Sequence, residues 1–192
     1  MLRRYFLGAV FMGLALTGCQ SMPDVDTSVT NVPVSTQKVN ASLRQVIVTI
    51  APADERQGII RPETEALLPM WRSSVMSSLT QAQTLTPGAP NQIDIRVKVI
   101  RLDNEQNGDL SITTTSIASY EVIDVSSGQV TWVRGISTSS TVSYQEAAVQ
   151  GTRERISLNR SIQANIAQFV QLLGNGQVEY QQVPANQFRI QQ

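Results

Sequence analysis

In residues 92–102, QIDIRVKVIRL, polar and apolar side chains alternate cleanly from Gln92 to Val99. Ile93, Ile95, Val97 and Val99 fall on one side of an extended chain, and Asp94, Arg96 and Lys98 on the other. A helix would scatter these residues around its circumference. A strand with one buried and one solvated face sorts them. The chain must therefore build a sheet open to water on one side, and supply an apolar surface to cover the other.

The partners of this strand are visible on both sides of it. Residues 43–50, LRQVIVTI, are β-branched and almost continuously apolar, which predicts a central strand buried on both faces. Residues 110–125, LSITTTSIASYEVIDV, predict a long strand, joined to the first by the polar turn 103–109 with Asn107-Gly108. Ser126-Ser127-Gly128-Gln129 predicts a second turn and 130–144 a returning strand. On that strand Val130, Trp132, Ile136, Val142 and Tyr144 share one parity, so Trp132 is expected on the packed face. Arg134 shares it too and calls for an edge position or a partner, and Gly135 suggests a bulge.

The cover comes from two helical stretches. In 62–82, Trp71, Val75, Leu79 and Ala82 repeat at helical spacing, and Pro69 demands either a kink or a helix start. From about Gln145 to Leu173, a stripe of Leu158, Ile162, Ile166, Phe169 and Leu173 runs to Gly174-Asn175-Gly176, a helix-ending sequence. The expected class is α+β, a single antiparallel sheet with helices packed on one face, in the order β-α-β-β-β-α.

The N-terminus, MLRRYFLGAVFMGLALTGC, has a different logic. Arg3 and Arg4 precede an uncharged apolar run from Tyr5 to Leu16, followed by the small residues Thr17 and Gly18. This is the layout of a secretory signal peptide, and the run is too short to span a bilayer. Leu16-Thr17-Gly18-Cys19 resembles a bacterial lipobox. The resemblance implies cleavage before Cys19, a diacylglycerol on its sulfur and an acylated amino group, with palmitate as the expected chain. Gln20 in place of Asp implies transfer to the outer membrane. The expected organisation is a signal peptide over 1–18, a lipidated N-terminus and tether over 19–42, the α+β domain over 43–174 and a polar tail over 175–192.

Composition narrows the chemistry. Histidine is absent, which removes the commonest general base and the commonest metal ligand. The single cysteine rules out a disulfide within the chain, and as an anchor it is no longer a nucleophile. Lysine occurs twice only, at Lys38 and Lys98, and the formal charge is zero, about −2 without Arg3 and Arg4. Nothing here suits a nucleic-acid partner. No cofactor or metal is expected.

The hairpin from Tyr120 to Trp132, of pattern Y-x-V-x-D-x-x-S-G-x-V-x-W, together with the closing helix, resembles small Gram-negative envelope lipoproteins of the YajG, PqiC-like and LptE-like types, and more distantly CsgG-like domains. That resemblance implies a non-catalytic accessory component of envelope assembly or transport. It would be held at the outer membrane by its lipid, face the periplasm and work with an envelope protein partner. The alternative is a periplasmic module binding a lipid or other apolar ligand between sheet and helices.

Four further groups invite functional readings. Asp54-Glu55-Arg56 and Asp103-Asn104-Glu105 form carboxylate clusters, in predicted loops where solvation explains them. Arg153, Arg155 and Arg160 suggest an anionic-lipid patch, against a solvated helix face. Trp71 and Trp132 suggest interface anchors, against core positions. Ser137 to Ser143, STSSTVS, suggests an edge open to strand addition, or equally a polar strand face.

Overall fold

The computed structural model describes residues 22–175 except residue 109. The signal peptide, Cys19 and the tail beyond Asn175 lie outside the described residues. Four strands form one sheet in the order β1-β2-β3-β4. They are β1 (Ser42–Ile50), β2 (Gln92–Asn107), β3 (Ser111–Asp124) and β4 (Val130–Ser143). Two helices, α1 (Leu68–Gln81) and α2 (Gln150–Gly174), cover one face, and a 3-10 turn, Pro62–Leu67, leads into α1. The class is α+β, with elements in the order expected.

The sheet is mixed, which corrects the all-antiparallel expectation. β1 runs parallel to β2, while β2–β3 and β3–β4 are antiparallel. The cause is α1, which crosses back between β1 and β2 and returns the chain to the same end before the second strand begins. β1 is also an edge strand, not a central one. Val46 is fully buried, but Ile47 on the other face is part-exposed.

β2 behaves as its alternation requires. Ile93, Ile95, Val97 and Val99 are buried under the helices. The strand runs on to Asn107, five residues past its apolar pattern, because it pairs with β3 as far as Ser111. Pro69 lies in the first turn of α1, where its missing N–H costs no helical hydrogen bond, so the helix starts there instead of kinking. α2 begins at Gln150, after a turn over 145–149. On β4 the register shifts beside Val130 and Trp132, and Gly135 pairs regularly with Ser119. Arg134 sits exposed at the sheet edge.

The core is built around an aromatic stack. The Tyr120 ring of β3 lies on Phe169 of α2 at 4.2 Å and 9°, and Trp132 tilts against the same ring at 6.0 Å. Both tryptophans are core residues, as their parity predicts. Trp71 Nε1 donates to the Tyr120 hydroxyl, which donates to Asn165 Oδ1 at 2.9 Å. The Asn165 amide in turn reaches the carbonyls of Ser116 and Ile136. One chain of hydrogen bonds thus links α1, the sheet and α2. Burial raises the Tyr120 phenol far above its ordinary range, keeping it a neutral donor.

Below this stack, α2 meets the sheet through small polar side chains. Ser157, Ser161 and Asn165 recur every fourth residue and are fully buried. Ser157 bonds Thr114 at 2.6 Å, and Ser161 bonds Ser116 at 2.9 Å. Ser116 and Thr138 both donate to the Ser161 carbonyl. These groups satisfy one another, and their small size lets the helix backbone approach the strands closely.

Candidate functional site

Of the stretch 19–42 expected as lipidated N-terminus and tether, the described part, 22–42, is seated on the domain. From Met22 the chain lies extended between the two helices. Asn159 Nδ2 donates to the Asp24 carbonyl, and Gln163 Nε2 to that of Asp26. Thr27 is buried and shares a hydrogen bond with Ser74 of α1. Further along, Ser35 N donates to Ala82 O, Gln37 N to Gly174 O and Val39 N to Thr84 O. Val25, Val29, Val32 and Val39 pack on the core. The segment is a strap that travels alongside α2 from its first turn to its last. Residues 19–21 of the expected tether lie outside the described residues.

The strap begins at a definite end of the molecule. Met22 lies over Gly151, where an added Cβ would meet its methyl carbon at 2.7 Å, and Arg155 Nη2 approaches its sulfur at 3.7 Å. Beside it are the turn between β2 and β3 and the end of β4, joined by the Tyr144 N–H donating to Leu110 O at 2.6 Å. The Arg153 guanidinium stands 5.7 Å from the Tyr144 ring. The opposite end carries the β3–β4 turn and the C-terminus of α2.

The carboxylate clusters do not converge. Glu55 pairs with Lys98 at 3.0 Å, while Asp103 and Glu105 both pair with Arg101. On the open sheet face Glu121 joins Arg96 and Lys98, and Asp94 accepts from Arg44 and Gln45. No group of three His, Cys, Asp or Glu stands ready to hold a metal among the described residues. The arginines do not form a patch either. Arg153 is buried and donates to the carbonyls of Ala147 and Ala148, whereas Arg160 pairs with Glu146. Residues 137–143 do form an edge, since β4 ends the sheet. Their hydroxyls pair across to β3, Thr141 with Thr113 and Ser139 with Thr115.

Asp94 is the carboxylate with the clearest electrostatic role. Hydrogen bonds from Arg44 lower its pKa, burial opposes them, and Gln45 adds a further lowering. A carboxyl held below its unfolded value stabilises the fold above that value, near 3.9, and the contribution disappears as pH falls through the folded value. The melting temperature should therefore hold from neutral pH to about 5 and drop below about 4. Asp94→Asn should flatten that acid limb, measured by circular dichroism across the pH series.

The middle of the space between sheet and helices is filled by the aromatic stack and its neighbours. At its β1 edge, between β1 and α1, an open groove of about 780 Å³ remains. Val46, Val48, Ile50, Leu68 and Met76 supply its apolar lining. Among the described residues, no helix is long and apolar enough to cross a membrane.

No family model matches the chain, and no curated protein matches it. Solved structures do. A Xanthomonas campestris protein of the DUF330 family superposes with a TM-score of 0.51 at 10% identity, over 79% of this chain and 92% of its own. That likeness establishes a shared fold. A Caulobacter crescentus protein provisionally named a lipoprotein gives 0.44 at 10% identity, over 67% and 87% of the two chains. A minor lipoprotein of Acinetobacter baumannii gives 0.37 at 15%, over 74% and 93%. These two likenesses are too slight to carry an argument.

Proposed function

We propose that the chain is an envelope lipoprotein, anchored through Cys19 to the outer membrane and facing the periplasm. It acts there as a non-catalytic accessory in assembly or transport. The observation that carries the reading is the sequence LTGC at the end of a short apolar leader, followed within three residues by a segment seated on the fold. Such an arrangement suits a domain delivered to a membrane and kept there. One acyl chain alone binds marginally, and two or more make the attachment durable. The absence of histidine from the whole sequence supports a role in binding over one in catalysis.

The test is metabolic labelling with an alkyne fatty acid in cells producing the full chain. The wild type should incorporate label and sediment with outer membranes, and Cys19→Ala should do neither. Crosslinking in the same cells, followed by detergent extraction and mass spectrometry, should then recover one stoichiometric envelope protein. Unchanged membrane association of Cys19→Ala would overturn the anchor.

A second reading, a module for an apolar ligand, is favoured by the groove along β1. Native mass spectrometry of gently extracted protein should then show a bound lipid, and Val48→Trp should exclude it. Protein extracted without any ligand would leave the accessory reading alone.

A further inference from the structure

We infer that the end of the domain carrying Met22, Leu110, Tyr144 and Val149 rests on the bilayer surface, with Ile59 on its flank, and that this fixes the domain's orientation. The inference rests on the lipid anchor proposed for Cys19. Its argument begins with chain length. Cys19 and Met22 are three residues apart, which is about 11 Å at full extension. An acyl-bearing residue sits where the hydrocarbon meets the headgroups, and each headgroup layer is about 5–7 Å thick. Met22 therefore lies at or just above the headgroups. It is also held in place, because Asp24, Asp26 and Thr27 immediately after it are hydrogen-bonded to α2 and α1. The short reach and the docked strap together bring this end of the fold to the membrane.

The surface found at that end has the matching chemistry. Ile59 is 81% exposed, Leu110 70%, Met22 53%, Tyr144 53% and Val149 49%. They make up five of the nine large apolar side chains exposed among the described residues. They come from five separate segments: the strap, the loop after β1, the β2–β3 turn, the end of β4 and the start of α2. The fold brings them together, since Leu110 and Tyr144 are hydrogen-bonded through their backbones and Gly58 closes against Asp103 of β2. Tyrosine with an apolar body and a polar tip is suited to the interface, as is an isolated Leu or Ile reaching into headgroups. The charges beside them are of both signs, Arg155 with Glu154 and Arg160 with Glu146, so apolar contact and not anionic-lipid attraction would set the pose. Oriented this way, α2 stands away from the membrane, and its C-terminal end, with the β3–β4 turn, points into the periplasm.

The test uses the lipidated full chain reconstituted in vesicles of phosphatidylethanolamine and phosphatidylglycerol. Thioether formation at Cys19 leaves no thiol, so a cysteine introduced at Ile59, Leu110 or Val149 takes a single environment-sensitive fluorophore. Met76 on α1 and Val130 at the far end are exposed controls. On the vesicles the first three probes should shift to the blue and be quenched by lipids carrying a shallow nitroxide, and the controls should do neither. Vesicle-bound, lipidated protein with no quenching at the first three positions would overturn the orientation and leave the anchor standing. So would quenching at Met76 or Val130 in their place. Probes shielded without vesicles, in proportion to protein concentration, would identify a second copy as the occupant and overturn the proposal. An intact mass lacking acyl chains would remove the anchor, and the orientation with it.

Discussion

Phe169→Ala should cost the protein about 3–5 kcal/mol, the range for truncating a fully buried aromatic ring. Phe169 has no exposed surface, and its ring is the one that both Tyr120 and Trp132 rest upon. Removing it opens a cavity between α2 and two strands, and forfeits a stacked pair worth about 0.5–1.5 kcal/mol beyond burial. The site has little freedom to collapse. Tyr120 is held from both sides by Trp71 and Asn165, so it cannot lean into the vacated space without breaking a buried hydrogen bond. Domains of this size are stable by about 5–15 kcal/mol, so the variant should lose a large share of its stability. Urea unfolding followed by tryptophan fluorescence measures this directly, because Trp71 and Trp132 are both buried in the native state. The midpoint should fall with little change in slope. Phe169→Leu should recover part of the loss. A cost below about 1 kcal/mol for the alanine variant would show that α2 is not seated on the sheet as described.

The element most legible in the sequence was β2, because one-sided burial writes itself into alternation. Trp71 and Trp132 were equally legible, each lying on an apolar parity or stripe. β1 was not. LRQVIVTI is apolar on both sides, and local composition says buried strand without saying how many strands flank it. Edge or centre is decided by which other segments pair, and here α1 returns the chain so that β2 takes one side only. The strap was missed for a related reason. Val25, Val29, Val32 and Val39 are spaced by four, three and seven residues, a helical interval, yet the segment takes no helix, because Pro33 and the β-branched Val and Thr disfavour one and the channel between α1 and α2 holds the chain instead. A run of valines in an otherwise polar stretch was the available signal.

The candidate site divides in the same way. The attachment proposed for Cys19 rests on four adjacent residues, Leu16 to Cys19, because a processing enzyme would read a short extended segment. The apolar end is assembled from five segments distant in sequence, and none of them is distinctive alone. Leu110 is one residue in a polar turn, and Ile59 one residue in a loop. Only the register of β2 against β3, and the seating of Met22 on α2, bring them to one end. The paired carboxylates failed for the opposite reason. Sequence displays charges without their partners, and Glu55 proved to face Lys98, with Asp103 and Glu105 both facing Arg101.

Ser161→Leu should destabilise the protein by about 3 kcal/mol, although it makes α2 more apolar on its packed face. Judged by the helix alone, leucine extends the stripe of Ile162, Ile166 and Phe169 and should help. The contact geometry gives the opposite sign. Ser161 is fully buried, with its Oγ at 2.9 Å from Ser116 Oγ and 3.1 Å from the Thr138 carbonyl. A branched isobutyl group has no room there without lifting α2 away from β3 and β4. Lifting the helix would also break the bonds from Ser116 and Thr138 to the Ser161 carbonyl, and strain those of Ser157 and Asn165 a turn away on either side. Those groups would stay buried without partners, at about 1–3 kcal/mol apiece where water cannot reach them. Ser161→Ala separates the two causes. It removes one hydroxyl and adds no bulk, and Ser116 keeps Thr138 and the Ser161 carbonyl as partners, so the cost should be about 1 kcal/mol. The alanine variant should therefore unfold at a slightly lower urea concentration than the wild type, and the leucine variant at a much lower one. A leucine variant as stable as the wild type would mean that α2 tolerates a wider separation from the sheet. The hydroxyl ladder would then be incidental to how the helix is held.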